Sequence, residues 1–162
     1  MDTISTLVVC SPLPGTAIRL GDVPDPVFAQ AMVGPGAAVD PVRAPVTAVS
    51  PIAGTLVKLK PHAFVVVDAD GRGVLVHLGI DTVNLAGAGF VLLAAEGAEV
   101  RAGAPVVRWD PTRIEAAGLS PVCPVIALDA HPGLVAQAAL GRIEPGGALF
   151  HWSAADGQDM TG

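Results

Sequence analysis

Residues 50–59 have the sequence SPIAGTLVKL, and residues 11–20 have the closely similar sequence SPLPGTAIRL. The two copies share five identical residues, and three further positions are conservative replacements. Pro and Gly followed by alternating apolar residues are typical of a turn that leads into a strand. Two copies are too few for a solenoid. We therefore expect an all-β protein in which a duplicated motif forms a pseudo-symmetric core.

The composition around the motif agrees with this fold class. Of the 162 residues, 51% are hydrophobic, and 19 Gly and 15 Pro are spread between valine-rich runs, which favours short strands joined by tight turns. We predict an antiparallel β-sandwich or barrel with a few short helical turns, one within residues 24–34 and one over residues 111–117. We expect a single domain over residues 1–152 and a flexible polar tail over residues 153–162.

Charge and hydropathy exclude several classes of function. Nine basic and fifteen acidic side chains give a net charge of −6, which is unsuitable for binding nucleic-acid phosphates. No basic residue precedes the apolar Leu7, and no apolar run approaches the roughly 18 residues of a membrane span. The two cysteines, Cys10 and Cys123, lie in apolar stretches and are expected to be small buried side chains. We therefore expect a cytoplasmic protein with no membrane span.

Two histidines lie on a predicted β-hairpin. Valine-rich runs on either side of Asp70–Gly71 are typical of a hairpin with a two-residue turn. That turn predicts that His77 lies opposite Phe64 and that His62 lies opposite Gly79. All four would then project from one face, with the histidine backbones about 7–8 Å apart, so that one small group could contact both rings.

Paired imidazoles are suited to phosphoryl transfer. A histidine nitrogen can be nucleophilic at neutral pH, and its phosphoramidate transfers the phosphoryl group onward readily. The hypothesis is that His77 carries the phosphoryl group and His62 stabilises it by donating a hydrogen bond. Gly79 would leave space beside His77 for the close approach of another molecule.

Other interpretations of the same residues remain open. Either histidine alone could simply fill a polar position in a sheet. His62, His77 and Asp81 together resemble the ligands of a zinc-dependent hydrolase. The patterns at residues 54–58 and 97–103 are similar to those of lipoyl or biotinyl carrier domains, but these need a lysine at a hairpin tip, and no lysine lies near Asp70–Gly71.

The two histidine segments, residues 61–64 (PHAF) and 76–83 (VHLGIDTV), resemble the histidine motifs of the glucose-type IIA component of the bacterial phosphotransferase system. The likeness extends through residues 22–28, 87–90 and 121–125 and covers approximately residues 10–152. This resemblance implies a phosphotransferase component with an all-β fold and an internal duplication.

The resemblance also implies partners and roles. His77 would accept a phosphoryl group through Nε2 from the histidine-containing phosphocarrier protein and pass it to a cysteine of a IIB domain of a sugar permease, with His62 in support. No cofactor would be required, although members of the family can bind zinc through the two histidines and a carboxylate of a regulated metabolic protein.

A docking surface is implied around the two histidines. Asp25 and Asp81 match acidic residues that face arginine on the phosphocarrier. Lys60 departs from the family, because many relatives carry threonine two residues before the supporting histidine. The residues that would line the apolar part of the surface are Val27, Phe28, Val33, Phe64, Ile80, Val83 and Phe90.

Overall fold

The computed structural model describes residues 6–137 and 139–154, and strands make up most of its regular structure. Both α-helices begin with Pro, whose fixed φ suits the first helical position. The strands are β1 (Thr6–Cys10), β2 (Gly15–Arg19), β3 (Gly36–Pro41), β4 (Val46–Val49), β5 (Gly54–Lys60), β6 (Ala63–Val67), β7 (Gly73–His77), β8 (Val91–Leu92), β9 (Glu99–Val100), β10 (Pro105–Trp109), β11 (Cys123–Ala127), β12 (Val135–Gln137), β13 (Gly141–Ile143) and β14 (Ala148–Ser153). The helices are α1 (Pro26–Ala29) and α2 (Pro111–Ala116), with 3₁₀ helices at Leu20–Asp22, Thr82–Leu85 and Pro132–Leu134.

These strands form three antiparallel sheets. The largest has eight strands in the order β13-β2-β3-β11-β7-β6-β5-β9. Two three-stranded sheets, β4-β10-β8 and β1-β14-β12, complete the arrangement within the described residues. The predicted all-β antiparallel architecture with a few short helices is confirmed.

The strands of the large sheet bury apolar side chains on both faces. The main core joins all three sheets, with fully buried Val9 of β1, Val76 of β7 and Val107 of β10 in one cluster. This is the packing of a sandwich, in which sheets cover each other's apolar faces. A smaller cluster that includes Ala38 of β3 and Ile126 of β11 covers the opposite face of the large sheet.

The repeated motif occupies equivalent positions, as the sequence predicted. Ser11 Oγ donates to Leu13 O and Ser50 Oγ donates to Ile52 O, each at 2.6 Å, and both serines are fully buried. The two copies also face each other, because Cys10 N donates to Pro51 O and Val49 N donates to Pro12 O, both at 3.0 Å. The core is therefore pseudo-symmetric.

The predicted helical segments are confirmed, each with an aspartate at its start. Asp25 Oδ1 accepts from Val27 N at 2.9 Å before α1, and Asp110 Oδ1 accepts from Thr112 N at 2.9 Å before α2. Such side chains satisfy backbone N–H groups that have no partner within the helix. Asp25 therefore fixes the start of α1, which lies beside the histidines described below.

The predicted register of the β6–β7 hairpin is wrong by one residue. Val67 pairs with Gly73 and Ala63 pairs with His77, so a five-residue loop over residues 68–72 replaces the two-residue turn. Asp68 closes this wider loop: its Oδ1 accepts from the backbone N of Asp70 and Arg72, and its Oδ2 accepts from Arg72 Nε at 3.0 Å. A one-residue shift moves side chains to the opposite face. Phe64 therefore faces the main core.

The domain boundary predicted at residue 152 is crossed by β14, which runs to Ser153. The rest of the predicted tail, residues 155–162, lies outside the described residues. Within the described residues, no helix has the length and apolar character needed to cross a bilayer. Cys123 is buried and Cys10 is half-buried, and both are free thiols.

Candidate functional site

His77 is the last residue of β7, and its side chain points away from the main core because the preceding Val76 points into it. The ring is half-buried, and Nδ1 lies 2.6 Å from the carbonyl oxygen of Gly79. A carbonyl oxygen can only accept, so Nδ1 carries the proton in this hydrogen bond. Nε2 is then the unprotonated nitrogen of the neutral ring and presents its lone pair.

Gly79 can hold this carbonyl in position because its backbone is left-handed, with φ of +83°. A Cβ at this position would lie 2.7 Å from Thr82 Cγ2 and 3.1 Å from Ser120 O. The space beside Gly79 is therefore filled by the protein itself, which corrects the prediction that it admits another molecule. Gly79 instead orients His77 through its carbonyl.

His62 reaches His77 from the turn that joins β5 and β6. Lys60 pairs with Ala63, so Pro61 and His62 form a two-residue turn, with proline at its favoured first central position. Leu78 N donates to His62 O at 2.7 Å. His62 is therefore hydrogen-bonded to Leu78, whereas the sequence predicted that it would lie opposite Gly79.

The two imidazole rings lie with centroids 5.4 Å apart and planes at 67°. The structure thus brings the two histidines together as predicted, although by a different route. Because His62 precedes β6, its direction does not follow the alternation of that strand, and the shifted register does not separate the rings.

Burial is the main influence on both histidines. It lowers the pKa of His77, although the hydrogen bond to Gly79 and the charges of Asp25 and Asp81 act in the opposite direction. Burial also lowers the pKa of His62, and the charges of His77 and Lys60 lower it further. Since both shifts are downward from an ordinary value near 6.5, the neutral form of each ring predominates at pH 7.

The aromatic ring of Phe28 in α1 packs against His77, with centroids 5.3 Å apart. Exposed apolar side chains lie close by in sequence: Val27 of α1 is 43% exposed and Val83 of the 3₁₀ helix is 57% exposed. Met32, which follows α1 and was not among the predicted residues, is 68% exposed. Met32 follows a helix of only four residues, which is too short to show a periodic pattern, so no signal in the sequence indicates that this side chain is exposed.

The remaining predicted docking residues are distributed differently. Phe64 and Ile80 are only 1% and 4% exposed, so the prediction that they line a surface is wrong. Phe64 lies in the main core through the shifted register, and Ile80 lies in the smaller cluster. Val33 packs half-buried on that smaller cluster, and Phe90 is half-buried and stacks on Trp109 with centroids 5.8 Å apart.

The two acidic residues have unlike positions. Asp25 caps α1, whereas Asp81 is exposed with a left-handed backbone, φ of +61°, before the 3₁₀ helix. The charges of both act on His77. They place negative potential beside the site, which suits a basic partner surface.

The zinc-hydrolase alternative needs at least three converging ligands. His62 and His77 supply two, but no third His, Cys, Asp or Glu completes such a group anywhere in residues 6–137 and 139–154. The carrier-domain alternative requires a lysine at a hairpin tip, and the sequence predicted none at Asp70–Gly71. In the structure, Lys60 flanks a different hairpin turn, the one between β5 and β6. A lysine at a turn is therefore present, although not at the predicted tip.

Together, the duplicated β-sandwich and the paired neutral histidines define a protein built for nucleophilic chemistry at a histidine nitrogen. A family model described as the phosphoenolpyruvate-dependent sugar phosphotransferase system, EIIA 1, matches residues 7–132. The chain therefore belongs to this family, the glucose-type IIA components. Proteins of this family are phosphotransferase components that carry a phosphohistidine, which sets aside the hydrolase and carrier-domain alternatives.

Individual relatives agree with this family. The chain is 40% identical to the glucose-specific EIIA component of Staphylococcus aureus (strain COL) over 74% of its length and 72% of that protein. It is also 40% identical to the N-acetylglucosamine-specific EIICBA component of Escherichia coli (strain K12) over 85% of its length, but it spans only 22% of that larger protein. The solved structure of glucose permease IIA from Mycoplasma capricolum matches with a TM-score of 0.84 and 31% identity over 91% of this chain and 96% of that one.

Proposed function

We propose that His77 Nε2 accepts a phosphoryl group from the phosphohistidine of a histidine-containing phosphocarrier protein and passes it to a cysteine of a IIB domain. The observation that carries this proposal is the hydrogen bond from His77 Nδ1 to Gly79 O, because it leaves the Nε2 lone pair free. The lowered pKa of His77 supports it, since a neutral ring is a nucleophile and a protonated ring is not.

In the accepting step, the Nε2–phosphorus bond forms as the nitrogen–phosphorus bond of the donor breaks. The ring keeps its Nδ1 proton and gains positive charge, which the Gly79 carbonyl and the carboxylates of Asp25 and Asp81 stabilise. In the second step, the Nε2–phosphorus bond breaks, its electrons return to the ring, and the acceptor thiolate takes the phosphoryl group. Positioning and charge stabilisation account for most of the catalysis in such transfers.

His62 is the stabilising partner in this scheme. Its ring centroid lies 5.4 Å from that of His77, near enough for a ring N–H to reach an oxygen of a phosphoryl group on Nε2. A hydrogen bond to a charged oxygen is about twice as strong as a bond between neutral groups. The negative charge of the phosphoryl group would also counteract the lowered pKa of His62 and favour its protonated form.

The surface around the site supports the proposed partners. Val27, which is next to half-buried Phe28 in sequence, and Val83 are exposed apolar residues. With the negative charges that act on His77, they suit a partner with an apolar contact surrounded by basic residues. The relatives from E. coli and Corynebacterium glutamicum are named EIICBA and EIIBCA components, so in them an A part shares a chain with B and C parts. We infer a IIB domain of a sugar permease as the acceptor and the cytoplasm as the location.

Zinc is proposed only as a regulatory addition. His62 and His77 would provide two nitrogen ligands on neighbouring rings, and a regulated metabolic protein would have to add a carboxylate. When bound, zinc would link the two proteins and block Nε2. The phosphoryl relay itself requires no cofactor.

The test is labelling with phosphoenolpyruvate and the upstream phosphotransferase proteins. His77→Gln should abolish acid-labile, base-stable phosphate on the chain, and His62→Gln should accept phosphate but slow its onward transfer by roughly 100-fold, a typical contribution of one positioned side chain. His131→Gln is the matched control, since this exposed histidine lies before the Pro132–Leu134 turn and should leave both steps unchanged. Full labelling of the His77→Gln variant would refute the proposal.

A further inference from the structure

Lys60 lies in one cross-strand row with His77. It pairs with Ala63 across β5 and β6, and Ala63 pairs with His77 across β6 and β7. Residues that lie directly opposite each other share a face of the sheet. Lys60 and His77 therefore project from the same outward face, about 10 Å apart at the backbone for two strand spacings.

The residue between them is small enough for the lysine to reach across. Ala63 has only a methyl group, and the lysine stem extends roughly 6 Å from the backbone at about 1.5 Å per bond. Lys60 is exposed, and it makes no salt bridge within the described part of the chain. Its ammonium group is thus free to contact an oxygen attached to His77 Nε2.

The electrostatics of the site make such a contact useful. A phosphoryl group brings a charge of about −1.5 to −2 into the site. The protein around it is acidic, with a net charge of −6 and two carboxylates, Asp25 and Asp81, acting on His77. Lys60 is a cation whose charge already acts on the neighbouring His62. Lysine offers three N–H donors on a compact charge and is a common phosphate ligand.

We propose that the Lys60 ammonium group is a third phosphoryl-binding group, which contacts the phosphoryl oxygens at His77 Nε2 alongside His62. This proposal rests on the proposed role of His77. Lys60 stabilises the charge on the phosphoryl oxygens as the bond from Nε2 forms and the bond to the leaving group breaks. Lys60 stands at the position where the resemblance leads one to expect a threonine.

The experiment uses phosphoramidate as a small phosphoryl donor, so that no partner protein contributes to the result. The initial rate of phosphorylation at His77 is followed by intact mass and fragment mapping for the wild-type chain, Lys60→Gln, Lys60→Arg and Lys58→Gln. Lys58 is the matched control: it is an exposed lysine on the same strand, but it lies opposite Val65, two rows away from Ala63.

We expect Lys60→Gln to lower the rate about tenfold at low salt, in keeping with one charge-assisted contact at a partly exposed site. At about 1 M salt, where screening acts within roughly 3 Å, the loss should shrink to about twofold. Lys60→Arg should stay within about threefold of wild type, because it keeps the charge and the donors.

The role of Lys60 alone would be overturned by an unchanged rate in Lys60→Gln. An equal loss in Lys58→Gln would also overturn it, because that would indicate only an effect of net charge. Wild-type chain that takes label at other histidines but not at His77 would instead refute the proposed function itself. A loss in Lys60→Gln that does not depend on salt would also overturn the proposal, because a structural defect would not be screened.

Discussion

Replacing Gly79 by alanine should lower the free energy of unfolding by about 2–5 kcal/mol, from a left-handed backbone cost of about 1–2 kcal/mol and a crowding cost of about 1–3 kcal/mol. The first contribution follows from φ of +83°, and the second from a Cβ that would lie 2.7 Å from Thr82 Cγ2 and 3.1 Å from Ser120 O. With a urea dependence of about 2 kcal/mol per molar, the midpoint of unfolding should fall by about 1–2.5 M at an unchanged slope.

Gly71→Ala is the matched control for this prediction. Gly71 has almost the same φ, +85°, but a Cβ there would meet no atom within 4 Å. It should therefore lose only the backbone contribution, about 1–2 kcal/mol, or roughly 0.5–1 M in urea. Equal losses in the two variants would refute the claim that crowding at Gly79 matters.

The same variant should also disturb His77. If Thr82 and Ser120 displace residue 79, its carbonyl moves away from Nδ1 and the ring no longer favours one tautomer. Phosphoryl acceptance should then fall by about tenfold, the equivalent of one modest hydrogen bond. Nitrogen chemical shifts of the His77 ring measure the tautomer directly, and an unchanged protonated Nδ1 in Gly79→Ala would contradict this reasoning.

Three further predictions follow from buried groups. Ser11→Ala and Ser50→Ala should each lower the free energy of unfolding by about 1–2 kcal/mol in urea titrations, and by nearly the same amount, because each loses an equivalent buried hydrogen bond; losses that differ by more than about 1 kcal/mol would contradict the equivalence. Cys123 should resist alkylation in the folded protein while Cys10 reacts slowly, because burial raises the pKa of both thiols but only Cys123 is fully enclosed. Mass spectrometry after iodoacetamide treatment measures the labelling of each thiol. Early labelling of Cys123 would contradict the prediction. Burial lowers the pKa of His77, so the unfolded chain takes up a proton first as pH falls, and the contribution of His77 to stability should be full above about pH 6.5 and decline below it. In unfolding curves measured across pH, His77→Gln should reduce the slope of stability against pH. An unchanged slope would show that other groups cause it.

Much of the fold was predictable because the signals that specify it are local. The turn residues of the repeated motif and the valine-rich alternation depend on neighbours in sequence, so the all-β class and the duplication could be inferred. The helical segments were predictable for the same reason, since Asp25 and Asp110 stand directly before Pro and cap the first turn. These features require no knowledge of distant contacts.

The register of the β6–β7 hairpin was not predictable, because it depends on side-chain contacts across the loop. Asp–Gly normally indicates a two-residue turn, but Asp68 and Arg72 bond to each other and widen the loop to five residues. The burial of Phe64 follows from that shift. The proximity of the two histidines could still be inferred, because both lie at the far end of the hairpin, where His62 belongs to a turn.

The five-residue loop over residues 68–72 is a suitable site for attaching a label, because it lies far from the two histidines. Residues 68–72 and His77 lie at opposite ends of β6 and β7, separated by a five-residue strand or about 17 Å. Ala69 and Gly71 at the loop tip are exposed, and Gly71 has open space around it. A fluorophore or surface tether attached at Ala69 would therefore leave the histidine face uncovered, so that single-molecule or surface-bound measurements could follow partner binding at that face.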